Sequence, residues 1–203
     1  MAPAPKQPHQ PSETGEGEIF FSYELKIPKE RVGALIGKEG IVKNEIESAT
    51  NCTLNVDSTE GDVQLRGTDS LTIMTAMEIV KAVGRGFNPE VALRLLKPDY
   101  SLEIISLADY TGKMAKKMMR LKGRVIGEGG KSRRLIEELT ETNMSVYGKT
   151  IAIIGVLEDV KNARYAIEML LSGSPHATVY LWLEKKRRER KRAEMQEIYG
   201  KKE

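Results

Sequence analysis

Cysteine and histidine are scarce in this sequence of 203 residues. It contains one cysteine, Cys52, and two histidines, His9 and His176. A single cysteine excludes an internal disulfide framework and a zinc site built from thiolates. One cysteine and two histidines also fall short of a Cys–His catalytic pair together with a group that orients it. We therefore expect no enzyme activity, no metal and no cofactor.

Long apolar runs and aromatic residues are also rare. No run of about 20 uncharged apolar residues is present that could span a bilayer, and the chain does not open with a charged-then-apolar signal sequence. We expect a soluble cytoplasmic protein with no membrane contact. Aromatic residues make up only 5% of the chain, which argues against RNA-binding folds that stack bases on several exposed rings, such as the RRM and the OB-fold.

The positive charges are concentrated in two segments, although the formal net charge is only +3. Residues 113–134 hold nine basic residues and one acid, Glu128, and residues 174–203 hold nine basic residues and five acids. Residues 18–86 hold eight basic residues and eleven acids. Solvated helix surfaces would explain either basic segment alone. Two such segments, one of them interrupted by glycines, favour a polyanion as the binding partner.

The strongest pattern is a repeat at an offset of 90 residues. VGALIGKEGIVKNEIESAT (32–50) matches KGRVIGEGGKSRRLIEELT (122–140). Glycines and apolar positions stay in step, which indicates a duplicated structural unit. The positions that are identical in the two copies are Gly33/Gly123, Ile36/Ile126, Gly37/Gly127, Gly40/Gly130, Ile46/Ile136, Glu47/Glu137 and Thr50/Thr140.

Both copies predict the order strand, helix, Gly-x-x-Gly, helix, strand, strand, helix, from apolar residues at helical spacing or at alternate positions. In the first copy the predicted elements are strand 20–27, helices 29–36 and 41–50, strands 52–56 and 63–67, and a long helix with Asp69 as its N-cap. In the second they are strand 102–107, helices 111–121 and 131–142, strands 144–147 and 150–154, and helix 157–171. Residues predicted on the buried helix faces include Leu71, Met74, Met77, Val80, Met114, Met118 and Met119.

The predicted organisation has five parts. They are a disordered tail rich in Pro, Gln and Ser (1–17), a first unit (18–87), a linker helix (88–99), a second unit (100–174) and a basic C-terminal segment (175–203). Within the last part, 176–199 predicts one helix that docks through Val179, Trp182 and Leu183. Its basic end is a solvated surface, an RNA contact or a partner-binding segment, and Lys185, Arg188 and Arg192 share one face of it.

A Gly-x-x-Gly turn between two helices exposes backbone N–H groups at a helix N-terminus. These amides and the positive end of the helix dipole favour a phosphate group. Glycine would allow the sugar-phosphate chain to approach the backbone closely. A single such turn is most often only a connection, but here it occurs twice in the same frame.

The segments Ile36-Gly37-Lys38-Glu39-Gly40 and Ile126-Gly127-Glu128-Gly129-Gly130 resemble the signature loops of KH domains. The resemblance implies an α+β fold: two type I KH domains in tandem, each a three-stranded sheet packed by three helices, followed by a basic helix. A KH domain clamps about four nucleotides of single-stranded RNA. The implied groove positions are Ile36, Ile41, Leu54 and Val56 in the first unit, and Val125, Ile126, Leu135, Ser145 and Tyr147 in the second.

The second loop is expected to dominate RNA binding, because phosphate contacts drive affinity and its surroundings are more basic. The first unit offers Arg31, Lys38 and Lys43 among many acids, and it either binds RNA or serves as a scaffold. The candidate RNA-binding residues are Arg124, Ile126, Gly127, Glu128, Gly129, Gly130, Lys131, Arg133 and Arg134; Ile36, Gly37, Lys38, Glu39 and Gly40; and Lys185 and Arg188.

A finer resemblance covers residues 18–190. The tandem units, KGRVIGEGGKSRRLIE and GSPHATVYLWLEKKRRER resemble the archaeal form of a small-subunit ribosome assembly factor, the KH partner of the Nob endonuclease. It implies binding to small-subunit (16S) rRNA near its 3′ end. It also implies contact with that rRNA-processing endonuclease and with the alpha subunit of initiation factor two.

Three alternatives follow from the same residues. GEGGKS (127–132) is similar to the end of a nucleotide-binding P-loop, but that motif requires glycine where Val125 stands. A KH factor of transcription elongation or RNA decay usually carries the other KH strand order or an OB-type barrel, and neither is visible. The third alternative is a protein-interaction scaffold in which both grooves are inert.

Overall fold

The computed structural model describes residues 12–13, 19–112 and 114–200. The chain divides into two compact units, residues 1–100 and 101–203. Strands are β1 (Ser12–Glu13), β2 (Ile19–Lys26), β3 (Thr53–Val56), β4 (Asp62–Gly67), β5 (Tyr100–Ser106), β6 (Asn143–Tyr147) and β7 (Thr150–Val156). Helices are α1 (Lys29–Ile36), α2 (Ile41–Thr50), α3 (Ser70–Gly84), α4 (Pro89–Ala92), α5 (Ala108–Thr111), α6 (Ala115–Ile126), α7 (Lys131–Thr140), α8 (Leu157–Leu171) and α9 (His176–Gly200).

The first unit is an antiparallel sheet in the order β1-β2-β4-β3. Its central strand β4 alternates, with Val63 and Leu65 buried and Gln64 and Arg66 more exposed, so one face of the sheet covers the core. Leu65 pairs with Tyr23 on one side and with Leu54 on the other. The two-residue strand β1 lies within the segment predicted as a disordered tail, and it pairs with β2. The rest of that tail lies outside the described residues.

Helix α3 closes the first core through a face that matches the predicted one only in part. Asp69 caps the helix as expected, since its side chain accepts from the Leu71 backbone N–H at 3.0 Å. Leu71 and Met74, however, are 72% and 50% exposed. The buried residues of α3 are Ile73, Ala76, Ile79, Val80, Ala82, Val83 and Gly84. Val80 is buried as predicted and Met77 is partly buried, but the burial predicted for Leu71 and Met74 was wrong. Several apolar stripes fit a helix this rich in apolar residues, and periodicity alone does not choose among them.

The second unit has a three-stranded sheet in the order β5-β7-β6. The central strand β7 is buried along most of its length, with Ile151, Ile153 and Ile154 fully buried. Helix α8 has the predicted bounds and packs Val160, Ala163, Ala166 and Ile167 into the same core. Both units therefore show the predicted order of elements around the glycine turn.

The single helix predicted over 111–121 is two helices. Gly112 ends α5 with φ 57° and ψ −133°, a conformation available essentially to glycine alone. Helix α6 then runs on through Gly123 to Ile126. Met118 packs against the core as predicted, but Met114 and Met119 are exposed, so their assignment to the core was wrong.

Helix α9 is fixed to the second unit at two places. Val179 and Leu183 are buried near its start, as predicted. Farther along, the Arg190 guanidinium pairs with Asp159 of α8 and with Glu141 after α7. Burial raises the pKa of the Asp159 carboxyl, while Arg190 acts against this shift. Among the described residues, no helix is long and apolar enough to cross a membrane.

Most identities of the repeat have a structural explanation. Ile46 and Ile136 are fully buried. Thr50 and Thr140 each donate a hydroxyl hydrogen bond to the carbonyl four residues earlier, at 2.7 Å in both units. The carboxylates of Glu47 and Glu137 accept from the backbone N–H groups of Leu54 and Met144, at 2.6 and 2.7 Å. This last contact joins the second helix of each unit to the strand that follows it.

We expect Glu137→Ala to destabilise the second unit by about 1–3 kcal/mol, because the amide of Met144 loses its acceptor. Glu137→Gln keeps a carbonyl acceptor and should cost less. Urea unfolding followed by the fluorescence of Trp182, the only tryptophan in the sequence, measures both. Equal losses from the two substitutions would contradict this role for Glu137.

Candidate nucleic-acid interface

The two glycine loops have nearly the same backbone conformation. Gly37 and Gly127 both have φ 73°, and Gly40 and Gly130 both have φ 79°. The third position is also left-handed, with φ 54° and 56°. The two loops therefore share one backbone conformation. Any difference in RNA binding between them must come from their side chains and those around them.

The first glycine of each loop is required by the turn itself. A Cβ on Gly127 would lie 2.7 Å from Ser132 Cβ and 2.8 Å from the Ser132 backbone nitrogen. A Cβ on Gly37 would lie 2.6 Å from Val42 Cγ2. The sequence argument assigned these glycines to the approach of RNA, and the structure corrects that reason for Gly37 and Gly127.

Gly127 packs against Ser132, but the side of the second loop formed by Gly129 and Gly130 is open. A Cβ on Gly129 would meet nothing within 4 Å, and one on Gly130 would meet only Arg134 Nε at 3.9 Å. The third position tolerates a side chain, since Glu39 occupies it in the first loop at a cost of roughly 1–2 kcal/mol for its left-handed conformation. A ligand backbone can therefore come close to Gly129 and Gly130.

The open side coincides with the N-terminus of α7. Gly130 is the N-cap residue, and no side chain caps the helix. Backbone N–H groups of the first turn therefore point outward at the positive end of the helix dipole. Helix α2 begins in the same way after Gly40. This is the arrangement that favours a phosphate group.

Gly33 and Gly123 are the identity that packing does not explain. Each lies inside the helix before its loop, is exposed, and would meet nothing within 4 Å if it carried a Cβ. Glycine inside a helix costs about 0.5–1 kcal/mol relative to alanine. A surface without side chains at this position suits close contact with a ligand that also reaches the loop.

Cationic side chains surround the second loop more fully than the first. Arg120 and Lys131 are exposed and form no ion pair within the part of the chain that the structure describes. The Arg134 guanidinium donates to the Gly129 carbonyl at 2.6 Å and braces the loop. Arg133 lies 3.5 Å from Glu137. Arg120 was not among the predicted site residues, although it belongs to the basic segment 113–134.

Two predicted arginines have structural roles instead. Arg124 donates to the Leu170 and Ser174 carbonyls at 3.1 and 2.7 Å. Arg31 donates in the same way to the Val83 and Phe87 carbonyls, at 2.8 and 2.6 Å. Each guanidinium satisfies carbonyls near or beyond the C-terminus of the long helix that closes the core of its unit, α8 for Arg124 and α3 for Arg31. We therefore do not assign phosphate contacts to Arg124 or Arg31.

Fewer unpaired cations lie around the first loop, although the second loop itself carries one acid, Glu128, and no cation. Lys38 and Glu39 are both exposed within the first loop, so their charges oppose each other. Lys43 lies 3.9 Å from Glu47. At the position of Lys131, the first unit has Ile41, which is exposed. Ile36 and its counterpart Ile126 are only partly buried and remain available to a ligand.

The proposed groove positions divide into two groups. Leu54 and Val125 are fully buried in the cores, so their assignment to the groove was wrong. Leu54 lies on the inner face of β3, and Val125 lies on the inner face of α6. The remaining positions keep part of their surface exposed or, for Ile41, most of it: Ile36, Ile41, Val56, Ile126, Leu135, Ser145 and Tyr147.

The basic residues predicted on α9 are exposed. Lys185 lies 4.0 Å from Glu189, and Arg188 lies 3.8 Å from Glu184. Exposed pairs of this kind hold their partners weakly. Both cations therefore remain free to exchange a carboxylate for a phosphate.

An open depression of about 470 Å³ adjoins the second loop. Gly123 and Arg120 of α6, Gly127 of the loop, and Lys131 and Ser132 of α7 all line it. The Glu128 carboxylate lines the depression as well. The surface of Gly123, the start of α7, two unpaired cations and one carboxylate therefore meet at one place.

The element order and the duplicated open loop define a tandem protein of two type I KH domains. A family model described as the eukaryotic-type KH domain (KH domain type I) matches residues 101–188, and a KH domain model matches residues 22–82. The predicted fold class is confirmed.

A KH domain-containing protein of Methanocaldococcus jannaschii is 50% identical over 182 residues, which cover 88% of this chain and 79% of that protein. The pre-rRNA-processing protein PNO1 of Coccidioides immitis is 30% identical over 114 residues, which cover 56% of this chain and 45% of PNO1. Among solved structures, the complex of a/eIF2alpha, aDim2p and rRNA from Pyrococcus horikoshii matches at a TM-score of 0.78 and 43% identity, covering 84% of this chain and 96% of that chain. The chain belongs to the family of tandem KH proteins that includes Dim2p and PNO1.

We expect Arg124→Ala and Lys131→Ala to separate folding from binding. Arg124→Ala leaves two carbonyls without their donor and should cost about 1–3 kcal/mol of stability. Lys131→Ala should leave the melting temperature unchanged and reduce the salt dependence of RNA binding by about one unit of slope. Thermal unfolding and RNA titration at several salt concentrations measure both effects. A stable Arg124→Ala variant that loses the salt slope would reverse our assignment.

Proposed function

We propose that this protein binds single-stranded RNA through the second glycine loop, on small-subunit rRNA near its 3′ end during ribosome assembly. The observation that carries the proposal is the open N-terminus of α7, where uncapped amides lie beside Arg120 and Lys131. Neither cation forms an ion pair among the described residues, although the Glu128 carboxylate lines the same depression. An RNA phosphate is the ligand that both features favour.

The relatives support this choice of RNA. One solved structure is of aDim2p with rRNA and a/eIF2alpha, and PNO1 of Coccidioides immitis is named a pre-rRNA-processing protein. We propose the same partners for this chain: small-subunit rRNA, the alpha subunit of initiation factor two, and the endonuclease that processes the rRNA 3′ end. In this proposal the protein acts by holding RNA rather than by catalysis. It acts in the cytoplasm.

Binding proceeds in our proposal without chemistry on the RNA. Amides of the loop and of the first turn of α7 donate to phosphate oxygens, and the cations around them release counterions from the strand. The strand then passes over Gly123, where no side chain obstructs it. Bases lie in the groove beside Ile126, which keeps part of its surface exposed.

The first unit contributes less RNA affinity in our proposal. Its loop carries the carboxylate of Glu39 where the second has Gly129, and exposed Ile41 where the second has Lys131. The exposed Leu71 and Met74 on α3 favour a second role for this unit, as a surface that contacts protein.

We expect Gly129→Asp to weaken binding of single-stranded RNA by at least about tenfold, because a carboxylate then lies where the phosphate binds. Gly129→Asn is the matched control: it has the same size and tolerates the left-handed conformation, but it carries no charge. Fluorescence anisotropy with an rRNA 3′-end oligonucleotide measures both variants.

The control must retain most of the affinity, and both variants must melt as the parent does. If Gly129→Asp binds RNA as tightly as the parent, the second loop is not the RNA site. In the first loop, Glu39 already carries a carboxylate at the position of Gly129, so the change made there is Lys38→Asp, at the position of Glu128. It should have a smaller effect on the same RNA.

We expect the double substitution Lys185→Ala and Arg188→Ala to lower affinity mainly at low salt, because exposed cations act on RNA through counterion release. Point substitutions are preferable to truncation at Glu184, which would also remove Arg190 and its contacts with the second unit. An unchanged salt slope would exclude Lys185 and Arg188 from the RNA interface.

A further inference from the structure

We propose that His176 and Tyr180 of α9 form a base-stacking subsite beside the second loop, so that the protein holds a nucleotide beyond the reach of the KH module itself. The proposal rests on RNA binding at this loop, as proposed above. Its ligand is one ribonucleotide of the bound strand, with its base against the rings and its phosphate toward the cations.

Both rings line the depression that contains the loop. His176 and Tyr180 lie one helical turn apart on α9 and therefore share a face, and their ring centroids are 5.9 Å apart. Arg120, Gly127 and Lys131 line the same depression. Rings beside unpaired cations are the combination that single-stranded nucleic acids require, because every base has a face that can stack.

The rings are held in place before any ligand binds. His176 Nε2 donates to the Arg124 carbonyl at 2.9 Å, and the Arg124 guanidinium donates to the Ser174 carbonyl, just before α9. Val179 and Leu183 are buried, so the start of α9 is fixed to the second unit. A rigid stacking surface loses little conformational freedom when it binds.

A buried hydroxyl in the same depression has no partner. Ser132 is 1% exposed, and its Oγ makes no hydrogen bond to the described residues. An unsatisfied buried polar group is unfavourable unless a ligand pairs with it. The first unit has Val42 at this position, and Val42 makes the corresponding contact with Gly37. The turn can therefore be built without a hydroxyl, which leaves a ribose or phosphate oxygen as the partner for Ser132.

The decisive substitution is Tyr180→Leu, which keeps an apolar side chain but removes the ring. With a single-stranded rRNA 3′-end oligonucleotide of about 12 nucleotides, we expect the affinity to fall roughly 5- to 150-fold. The salt slope should not change, because stacking releases no counterions. Tyr180→Phe keeps the ring and should retain the affinity, and Ser132→Val, the residue of the first unit, should lower it less than Tyr180→Leu.

Oligonucleotide length tests whether the subsite lies beyond the KH clamp. An RNA of about four nucleotides fills the clamp alone, so Tyr180→Leu should not affect its binding. Equal losses with short and long RNA would overturn the extra subsite, and so would an unchanged affinity for the long RNA.

A second measurement uses the parent protein and does not depend on how the variants fold. RNA containing 4-thiouridine is cross-linked with light, and the attached peptides are identified by mass spectrometry. A cross-link to the segment 176–180 supports the subsite, whereas cross-links confined to the loop or to other segments overturn it. If a protein partner rather than RNA occupies the rings, Tyr180→Leu leaves RNA affinity unchanged.

The Gly129→Asp variant distinguishes the two proposals. If it loses RNA binding while Tyr180→Leu does not, only the stacking subsite is wrong. If neither variant changes the affinity, RNA binding at the second loop is wrong and the subsite falls with it.

Discussion

The left-handed backbone of the glycine loop is the constraint on which the rest of the site depends. At Gly127 this backbone comes so close to α7 that a Cβ would overlap Ser132. The chain can therefore leave α6 and enter α7 within four residues, and no side chain remains at the N-cap to satisfy the first amides of α7. The same glycines thus produce both the tight turn and the uncapped N-terminus of α7. The phosphate site that we propose follows from a backbone requirement, and the cations around it would adjust its strength.

Duplication separates what the fold needs from what binding needs. The buried isoleucines, the carboxylates that accept from the next strand and the first glycine of the loop occur in both units, and each has a packing or hydrogen-bonding reason. Around the loops the units differ: Lys131 and Ser132 in the second correspond to Ile41 and Val42 in the first. Because the loop backbones are nearly the same, these side chains decide which loop is suited to a polyanion.

Much of the fold was predictable because the repeat supplies two independent samples of one pattern. Helices α1, α2 and α8 have the predicted bounds, and the glycine turns lie where the motif placed them. Two kinds of detail were not predictable. The buried face of α3 could not be chosen from periodicity, since the helix is apolar on several sides. The role of Arg124 depends on carbonyls of Leu170 and Ser174, distant in sequence, so composition made it look like a phosphate ligand. Ser132 could have been noticed, because the repeat sets it opposite a valine.

The most direct test of the phosphate site follows the backbone amides themselves. In an NMR titration of the 15N-labelled protein with single-stranded rRNA 3′-end oligonucleotide, each amide signal reports on its own surroundings. We expect the largest shifts at Gly129, Gly130 and the first turn of α7, with smaller shifts at Gly40 and the first turn of α2. RNA binding that leaves the amides of the second loop unshifted, while signals elsewhere move, would contradict the claim that this turn holds the phosphate.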